Sequence, residues 1–178
     1  MKLDNEAYVL VMPSMKHKQA AIEYISEFAR AGELIDGTGL EADIGESFDA
    51  YGEWISRFYS SDEGAADGKV GGSFTYFFMD ENERRLIGTV NIRQGNKIEE
   101  EFGNIGYAIR PLLRGQGLGK QLVESAVAMC EFMGLEVITA VINPENYPSK
   151  RILESCGFLV NGILSNGNVM YRRGENNA

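Results

Sequence analysis

The sequence has 178 residues and a mass of 19.7 kDa, the size of a single domain with a sizeable buried core. A hydrophobic fraction of 44% excludes a mainly disordered chain, and two cysteines are too few for a disulfide scaffold. The net charge of -9 argues against a general nucleic-acid binder, because the phosphate backbone attracts clustered positive charge.

Neither a metal site nor a membrane segment is predicted. Cys130 and Cys156 belong to no CxxC pair and His17 is the sole histidine, so the usual ligands of a zinc site are missing. Pro13 interrupts the first apolar stretch, and no apolar run approaches the roughly 20 residues that span a bilayer. We therefore expect a cytoplasmic protein without a membrane or nucleic-acid partner, with buried, reduced cysteines and with His17 at the surface.

The first 72 residues predict a strand, a helix, a loop, a second helix and a second loop, over 7–12, 15–31, 36–49, 48–58 and 60–72. Ser14 is a good N-cap for the first helix, and Gly32 is expected to end it. The apolar face of that helix is expected to consist of Ala21, Ile22, Ile25, Phe28 and Ala29.

From residue 73 onwards the pattern predicts three strands, a helix, a strand, a short helix and two strands, over 73–79, 85–93, 104–110, 118–133, 135–142, 149–156, 158–164 and 168–173. Asn166-Gly167 between the last two strands is a strong hairpin signal. Because strands and helices do not alternate throughout, we expect one mixed α/β domain rather than a βα barrel.

A glycine-rich turn joins the strand at 104–110 to the helix after it. Its residues are Arg114, Gly115, Gln116, Gly117, Leu118, Gly119 and Lys120. Glycines let the main chain approach a ligand closely, and the N–H groups that begin a helix attract an anion. Arg110, Arg114 and Lys120 add positive charge with no acid between them. The turn therefore predicts a phosphate site; the alternative is a tight strand-to-helix turn without a ligand.

Two common phosphate motifs do not fit this turn. A P-loop needs GxxxxGK[ST], but Arg114 stands in place of its first glycine and Gln121 in place of its hydroxyl residue. A dinucleotide fingerprint needs GxGxxG, and Lys120 stands in place of the third glycine.

Arg114-x-x-Gly117-x-Gly119 resembles the [QR]-x-x-G-x-[GA] signature of the GNAT N-acetyltransferase superfamily. Asn146 to Ser149, followed by a helix that ends in Gly157-Phe158, resembles the second motif of the family, and 105–111 resembles its β4. The resemblance covers about 70–173. It implies a GNAT-like α/β fold: a mixed, mostly antiparallel sheet flanked by helices, with splayed strands at the cofactor site. The single domain, 1–178, would have its strand and substrate-side helices in 1–72, and its acetyl-CoA-binding core and C-terminal hairpin in 73–173.

The resemblance also implies roles in binding acetyl-CoA as a cosubstrate. The backbone of Ala108 and Ile109 would pair with the pantetheine arm, and the amides from Arg114 to Lys120 would bind the pyrophosphate. Asn146 would hydrogen-bond the arm, and Ser149 would lie near the thioester sulfur. From the residues alone, Asn146 is equally a helix N-cap.

The two motifs indicate the acid and the base of such a reaction less clearly than they indicate the cofactor-binding residues. Glu101, the last of three acids before the strand at 104–110, is the candidate base. The tyrosine that the family often uses as an acid is replaced by Leu153, so water, Ser149 and Tyr171 are the candidate proton donors. Tyr107 is interpreted as core or pocket wall rather than as a catalyst.

The predicted function is therefore transfer of the acetyl group of acetyl-CoA to a primary amine, by direct attack and without a metal. The alternatives are a catalytically silent acyl-CoA-binding domain, which Leu153 favours, and an interaction module built on the aromatic helix at 48–58. The acidic segments 33–53 and 99–101 favour a cationic acceptor, either a small-molecule or a peptide amine. Both a monomer and a homodimer are compatible with the sequence.

Overall fold

The computed structural model describes residues 7–35, 51–53, 55, 72–95 and 101–174. The predicted loop at 36–49, nearly all of the loop at 60–72, most of the helix at 48–58, and Glu99 and Glu100 lie outside these residues.

The described residues follow the predicted order of strands and helices. They form β1 (Tyr8–Val11), α1 (Lys18–Ala31), β2 (Ser73–Asp80), β3 (Leu86–Arg93), β4 (Ile105–Ile109), α2 (Leu118–Phe132), β5 (Ile138–Ile142), α3 (Tyr147–Ser155), β6 (Leu159–Ile163) and β7 (Val169–Arg173). Short 3-10 helices, Met15–His17 and Pro111–Leu113, precede α1 and α2. Residues 51–53 and 55 are helical, as predicted for the second helix.

The seven strands form one sheet in the order β1-β2-β3-β4-β5-β7-β6. All neighbouring strands are antiparallel except β4 and β5, which confirms the predicted mixed, mostly antiparallel sheet. The parallel register of β4 and β5 joins only Ile105 with Ala140. Towards Ile109, β4 therefore pairs with β3 on one side, and the opposite edge has no strand partner among the described residues.

Helices pack on both faces of the central strands, whereas the edge strand β6 is exposed. Successive side chains of a strand point to opposite sides and so contribute to two cores. In β2, Phe78 packs towards α2 and α3, whereas Phe77 and Met79 pack towards α1. The core on the α1 side also contains Tyr51 and Ile55 from the second helix.

The ends and the buried face of α1 agree with the prediction at most positions. Gly32 caps the helix in the left-handed region at a φ of 68°, as glycine does at many helix ends. Ala21, Ile25 and Phe28 are buried, whereas Ala29 is exposed. Tyr24 is also buried on this face.

The prediction that His17 lies at the surface is wrong. Its side chain is 1% exposed, because the 3-10 turn before α1 directs the ring towards Phe77. The Ser14 backbone N–H donates to Nδ1 over 3.1 Å, and Nε2 lies 2.8 Å from a carboxylate oxygen of Glu83. The lysines around His17 in the sequence therefore did not indicate where its ring would point.

The two cysteines are buried, as predicted. Burial raises the pKa of the Cys130 thiol to about 12 and also raises the pKa of Cys156. Neither thiol therefore has the depressed pKa that activates a cysteine nucleophile. Within the described ranges no helix has the length and apolar character needed to cross a bilayer.

Candidate active site

A cavity of about 510 Å³ opens beside the free edge of β4. Its lining comes from α1, β4, the turn after β4 and α3: Phe28, Glu33, Leu34, Tyr107, Ala108, Ile109, Arg114, Gly115, Gly119, Asn146, Pro148, Ser149 and Ile152. The fold thus brings together most residues of the two sequence motifs. Gln116, Gly117, Leu118 and Lys120 belong to the same turn and first helical turn, but they do not line the cavity.

The glycine-rich turn presents backbone donors at one end of this cavity. Gly115 and Gly117 have φ values of 75° and 83°, in the left-handed region that favours glycine. For the N–H groups of residues 115–119, the described part of the chain offers no hydrogen-bond acceptor. Together with the positive end of the α2 dipole, these donors form the kind of site that binds phosphate groups.

The three cations around the turn are all paired with carboxylates. The guanidinium of Arg110 binds Glu27, that of Arg114 binds Glu33, and Lys120 lies 3.6 Å from Glu124. The positive charge expected from the sequence is therefore largely balanced in the fold. The backbone N–H groups, rather than free side-chain cations, are the main attraction for an anion here.

Glu27 connects α1 to the turn. It is buried, and besides binding Arg110 it accepts a hydrogen bond of 2.8 Å from the backbone N–H of Leu112. Burial alone would raise the pKa of Glu27, but the hydrogen bonds from Arg110 and Leu112 hold it below its ordinary value. A charged Glu27 therefore fixes the chain between β4 and α2.

The free edge of β4 already makes a side-chain contact. On that edge, the Ile109 carbonyl accepts a hydrogen bond of 3.0 Å from Nε of Arg114. The Ala108 carbonyl lies on the side of β4 that pairs with β3, and it accepts a hydrogen bond of 3.3 Å from the hydroxyl of Tyr24. The guanidinium of Arg114 also lies 5.5 Å from the centre of the Phe28 ring. Arg114 thus packs across the edge to which the sequence motif assigns the pantetheine arm.

The second motif forms the N-terminus of α3, which also lines the cavity. Oδ1 of Asn146 accepts a hydrogen bond of 3.2 Å from the backbone N–H of Ser149, so the expected N-cap is present. Leu153 is completely buried in the core. At the position where the family often carries a tyrosine, this chain therefore has an apolar side chain that packs in the core.

Tyr107 contributes a hydroxyl that lies beside the N-terminus of α3. Its O–H donates to the Ser149 carbonyl over 3.5 Å, and burial raises the pKa of the phenol to about 12. The prediction that Tyr107 forms part of a pocket wall is confirmed. The alternation of side chains along β4 predicted which face of the strand carries Tyr107. It could not show that the hydroxyl of Tyr107 reaches α3.

Two predicted catalytic residues lie away from the described cavity lining. Glu101 is exposed just before β4, and Tyr171 is buried on β7, where its hydroxyl donates to Glu154 over 3.5 Å. Burial, followed by the negative charge of Glu154, raises the pKa of Tyr171. Their roles in catalysis stay predictions.

Comparison with known proteins identifies the family. Residues 43–159, more than half of the chain, match the acetyltransferase (GNAT) domain family. The chain belongs to the GNAT acetyltransferase family. This result confirms the family and the class of enzyme that the sequence motifs predicted. No curated protein sequence gives a significant match.

Solved structures show the same fold at low sequence identity. RimJ from Mycobacterium smegmatis, in complex with CoA-disulfide, has a TM-score of 0.70 at 18% identity, over 93% of this chain and 81% of its own. The microcin C7 self-immunity acetyltransferase MccE, in complex with acetyl-CoA and AMP, has a TM-score of 0.70 at 15% identity, over 96% and 94%. The ribosomal-protein-S5-alanine acetyltransferase from Vibrio fischeri has a TM-score of 0.64 at 16% identity, over 99% and 97%. These matches support the predicted GNAT-like fold.

Proposed function

We propose that this protein is an N-acetyltransferase that transfers the acetyl group of acetyl-CoA to a primary amine. The observation that carries the proposal is one cavity that joins the turn with the free N–H groups of residues 115–119, the open edge of β4 and the N-terminus of α3. The structures of MccE with acetyl-CoA and of RimJ with CoA-disulfide support this choice of donor.

The residues present fit an elongated ligand with a diphosphate at one end. The N–H groups of residues 115–119 would bind the pyrophosphate, and Gly119 leaves no side chain to obstruct the approach. The backbone of Ala108 and Ile109 would pair with the arm, and Asn146 and Ser149 would hold its far end. When bound, acetyl-CoA supplies an activated acetyl group.

The protein's remaining task is to position the amine and manage its proton. The amine attacks only in its neutral form, so a base must remove a proton before or during attack. Glu101 is the proposed base, acting through water because it is exposed and outside the described cavity lining. Ser149 and Tyr171 are the side chains that the sequence predicts as proton donors to the leaving sulfur.

The proposed acceptor is a cationic amine, either a peptide N-terminus or a small molecule. The net charge of -9 favours a positively charged acceptor. The Vibrio fischeri enzyme is named for acetylating an alanine of a ribosomal protein, which supports testing peptides first.

Two measurements test the proposed function. Acetyl-CoA should raise the Tm by mass action, whereas an equal concentration of AMP should raise it much less. CoA release should then depend on an added amine, in a panel of peptides with free N-termini, amino-acid amides and polyamines. Peptides whose N-terminus is already acetylated are the control. Absence of an acetyl-CoA effect on Tm would refute the assignment.

A catalytically silent acyl-CoA-binding domain is the second candidate. It is favoured by the burial of Leu153, which leaves the usual position of the acid without a proton donor. This candidate predicts the same rise in Tm with acetyl-CoA, but no amine-dependent release of CoA across the panel.

A further inference from the structure

Tyr107 carries a polar group that the proposed reaction has not yet used. It lies in β4 between Ile105 and Ile109, whose side chains are buried against α2 and α3. Within the described lining of the cavity, Tyr107 and Ser149 provide the uncharged O–H groups. A phenol is a much stronger hydrogen-bond donor to an anion than an aliphatic alcohol, because it is more acidic.

The hydroxyl of Tyr107 is held at the N-terminus of α3. It donates to the Ser149 carbonyl, and the N–H of Ser149 donates to the Asn146 side chain. The O–H···O distance of 3.5 Å is long for a hydroxyl, whose usual range is about 2.5–3.0 Å. This weak bond leaves the donor available for a better acceptor that enters the cavity.

We propose that the Tyr107 hydroxyl donates a hydrogen bond to the thioester sulfur and stabilises the thiolate that leaves during acetyl transfer. The proposal rests on the proposed function, because it needs acetyl-CoA in the cavity. A tyrosine of β4 would thus stabilise the leaving thiolate, which the buried Leu153 of α3 cannot do because it has no hydrogen-bond donor in its side chain.

The bonds and protons balance without a further reactant. The nitrogen of the neutral amine bonds to the acetyl carbon, the C–S bond breaks, and its electron pair goes to sulfur. The amine releases one proton to solvent, and the CoA thiolate takes a proton from solvent according to its own pKa. Tyr107 keeps its proton throughout: its pKa of about 12 lies well above that of a thiol, about 8.5, so the phenol does not transfer it to the thiolate.

The decisive variant is Tyr107→Phe, which keeps the ring and removes the donor. We expect kcat to fall about 10- to 100-fold, the usual effect of losing one donor to a developing anion. The rise in Tm with acetyl-CoA should persist. Tyr76→Phe is the matched control, because Tyr76 is half-buried on β2 and does not line the cavity. It should match the wild type.

A second readout does not depend on turnover. In the complex with CoA, the ultraviolet absorbance of the thiolate reports the pKa of the bound thiol. A donor at the sulfur stabilises the thiolate, so this pKa should lie below that of free CoA. It should rise by about 1 to 2 pH units in Tyr107→Phe. A bound thiol in the wild type that titrates at or above free CoA would overturn the proposal, even if the variant did not fold.

Other outcomes separate the inference from the proposed function. If Tyr107→Phe binds acetyl-CoA normally with unchanged kcat and thiol pKa, the inference is wrong and the proposed function stands. If Ser149→Ala or Tyr171→Phe causes these losses and Tyr107→Phe does not, the role belongs to that residue. If wild-type protein shows no Tm response to acetyl-CoA or CoA, both are wrong.

Discussion

At the scale of single residues, two acids of the N-terminal part of the chain organise the turn that follows β4. Glu27 binds Arg110 and the N–H of Leu112, and Glu33 binds Arg114 through both carboxylate oxygens. The Glu27 pair is buried. In the other pair, 43% of the Glu33 side chain and 44% of the Arg114 side chain are exposed. Removing one partner is therefore expected to cost much stability only in the buried pair, where the other charge would be left buried and unpaired.

Glu27→Gln should lower the free energy of unfolding by about 3–5 kcal/mol at pH 7, because Arg110 is left buried without its carboxylate. The folded pKa of Glu27 lies below its ordinary value of 4.5. Its contribution is therefore complete above about pH 4.5, where Glu is ionised in the unfolded chain, and it is lost as the pH falls through the folded pKa. Denaturant unfolding at several pH values measures both effects.

Glu33→Gln is the control for this prediction, since an exposed ion pair contributes about 0–1 kcal/mol. Equal losses in the two variants, or a Glu27 effect that grows towards acid pH, would contradict the assignment.

At the scale of elements, α2 is flanked by two glycines with nearly the same positive φ. Gly117 caps its start at a φ of 83°, and Gly134 follows its end at 84°. A methyl group added at either residue would meet no atom within 4 Å. Gly119 differs, because a Cβ there would lie 2.7 Å from Cδ1 of Ile152. Gly119 therefore also allows α2 to pack closely against α3, whether or not a ligand binds.

Gly117→Ala and Gly134→Ala form a matched pair. Each should lower stability by about 1 kcal/mol, or roughly 2–4 °C in Tm, because alanine is strained at positive φ. Only Gly117→Ala should reduce the rise in Tm caused by acetyl-CoA, since its methyl group lies beside the free N–H groups of the turn. Valine would be a poorer choice, as β-branching adds strain in this region. Equal ligand responses would remove the turn from the binding site.

The sequence predicted those features of the fold and the site that depend on residues close together in the chain. The glycine turn, the Asn146 cap and the order of strands and helices along the chain all follow from local patterns. The contacts that complete the site are distant in sequence: Arg110 meets Glu27 across 83 residues, and Tyr107 meets Ser149 across 42. No local pattern encodes such pairs in a single sequence. The burial of His17 was missed for the same reason, because its partner Glu83 is 66 residues away.

At the scale of the whole molecule, the protein is negatively charged, whereas its turn presents only the partial positive charge of backbone N–H groups. The chain carries a net charge of -9, yet the turn at 114–120 presents N–H groups and the positive end of a helix dipole. Short-range donors can therefore hold an anionic donor substrate in a protein whose long-range field repels anions. The same field should attract a cationic acceptor.

Ionic strength should therefore affect acceptors according to their charge. At saturating acetyl-CoA, kcat/KM for a peptide with a lysine beside its free N-terminus should fall roughly 10-fold as ionic strength rises from about 0.01 to about 0.15 M. The screening length shortens from about 30 Å to about 8 Å over this range, so the attraction is lost. The peptide with glutamate in place of lysine should react more slowly at low salt and gain as repulsion is screened. The ratio of the two kcat/KM values should therefore approach one with added salt. A ratio that does not change would mean that contacts within the acceptor site, rather than the net charge of -9, determine the preference.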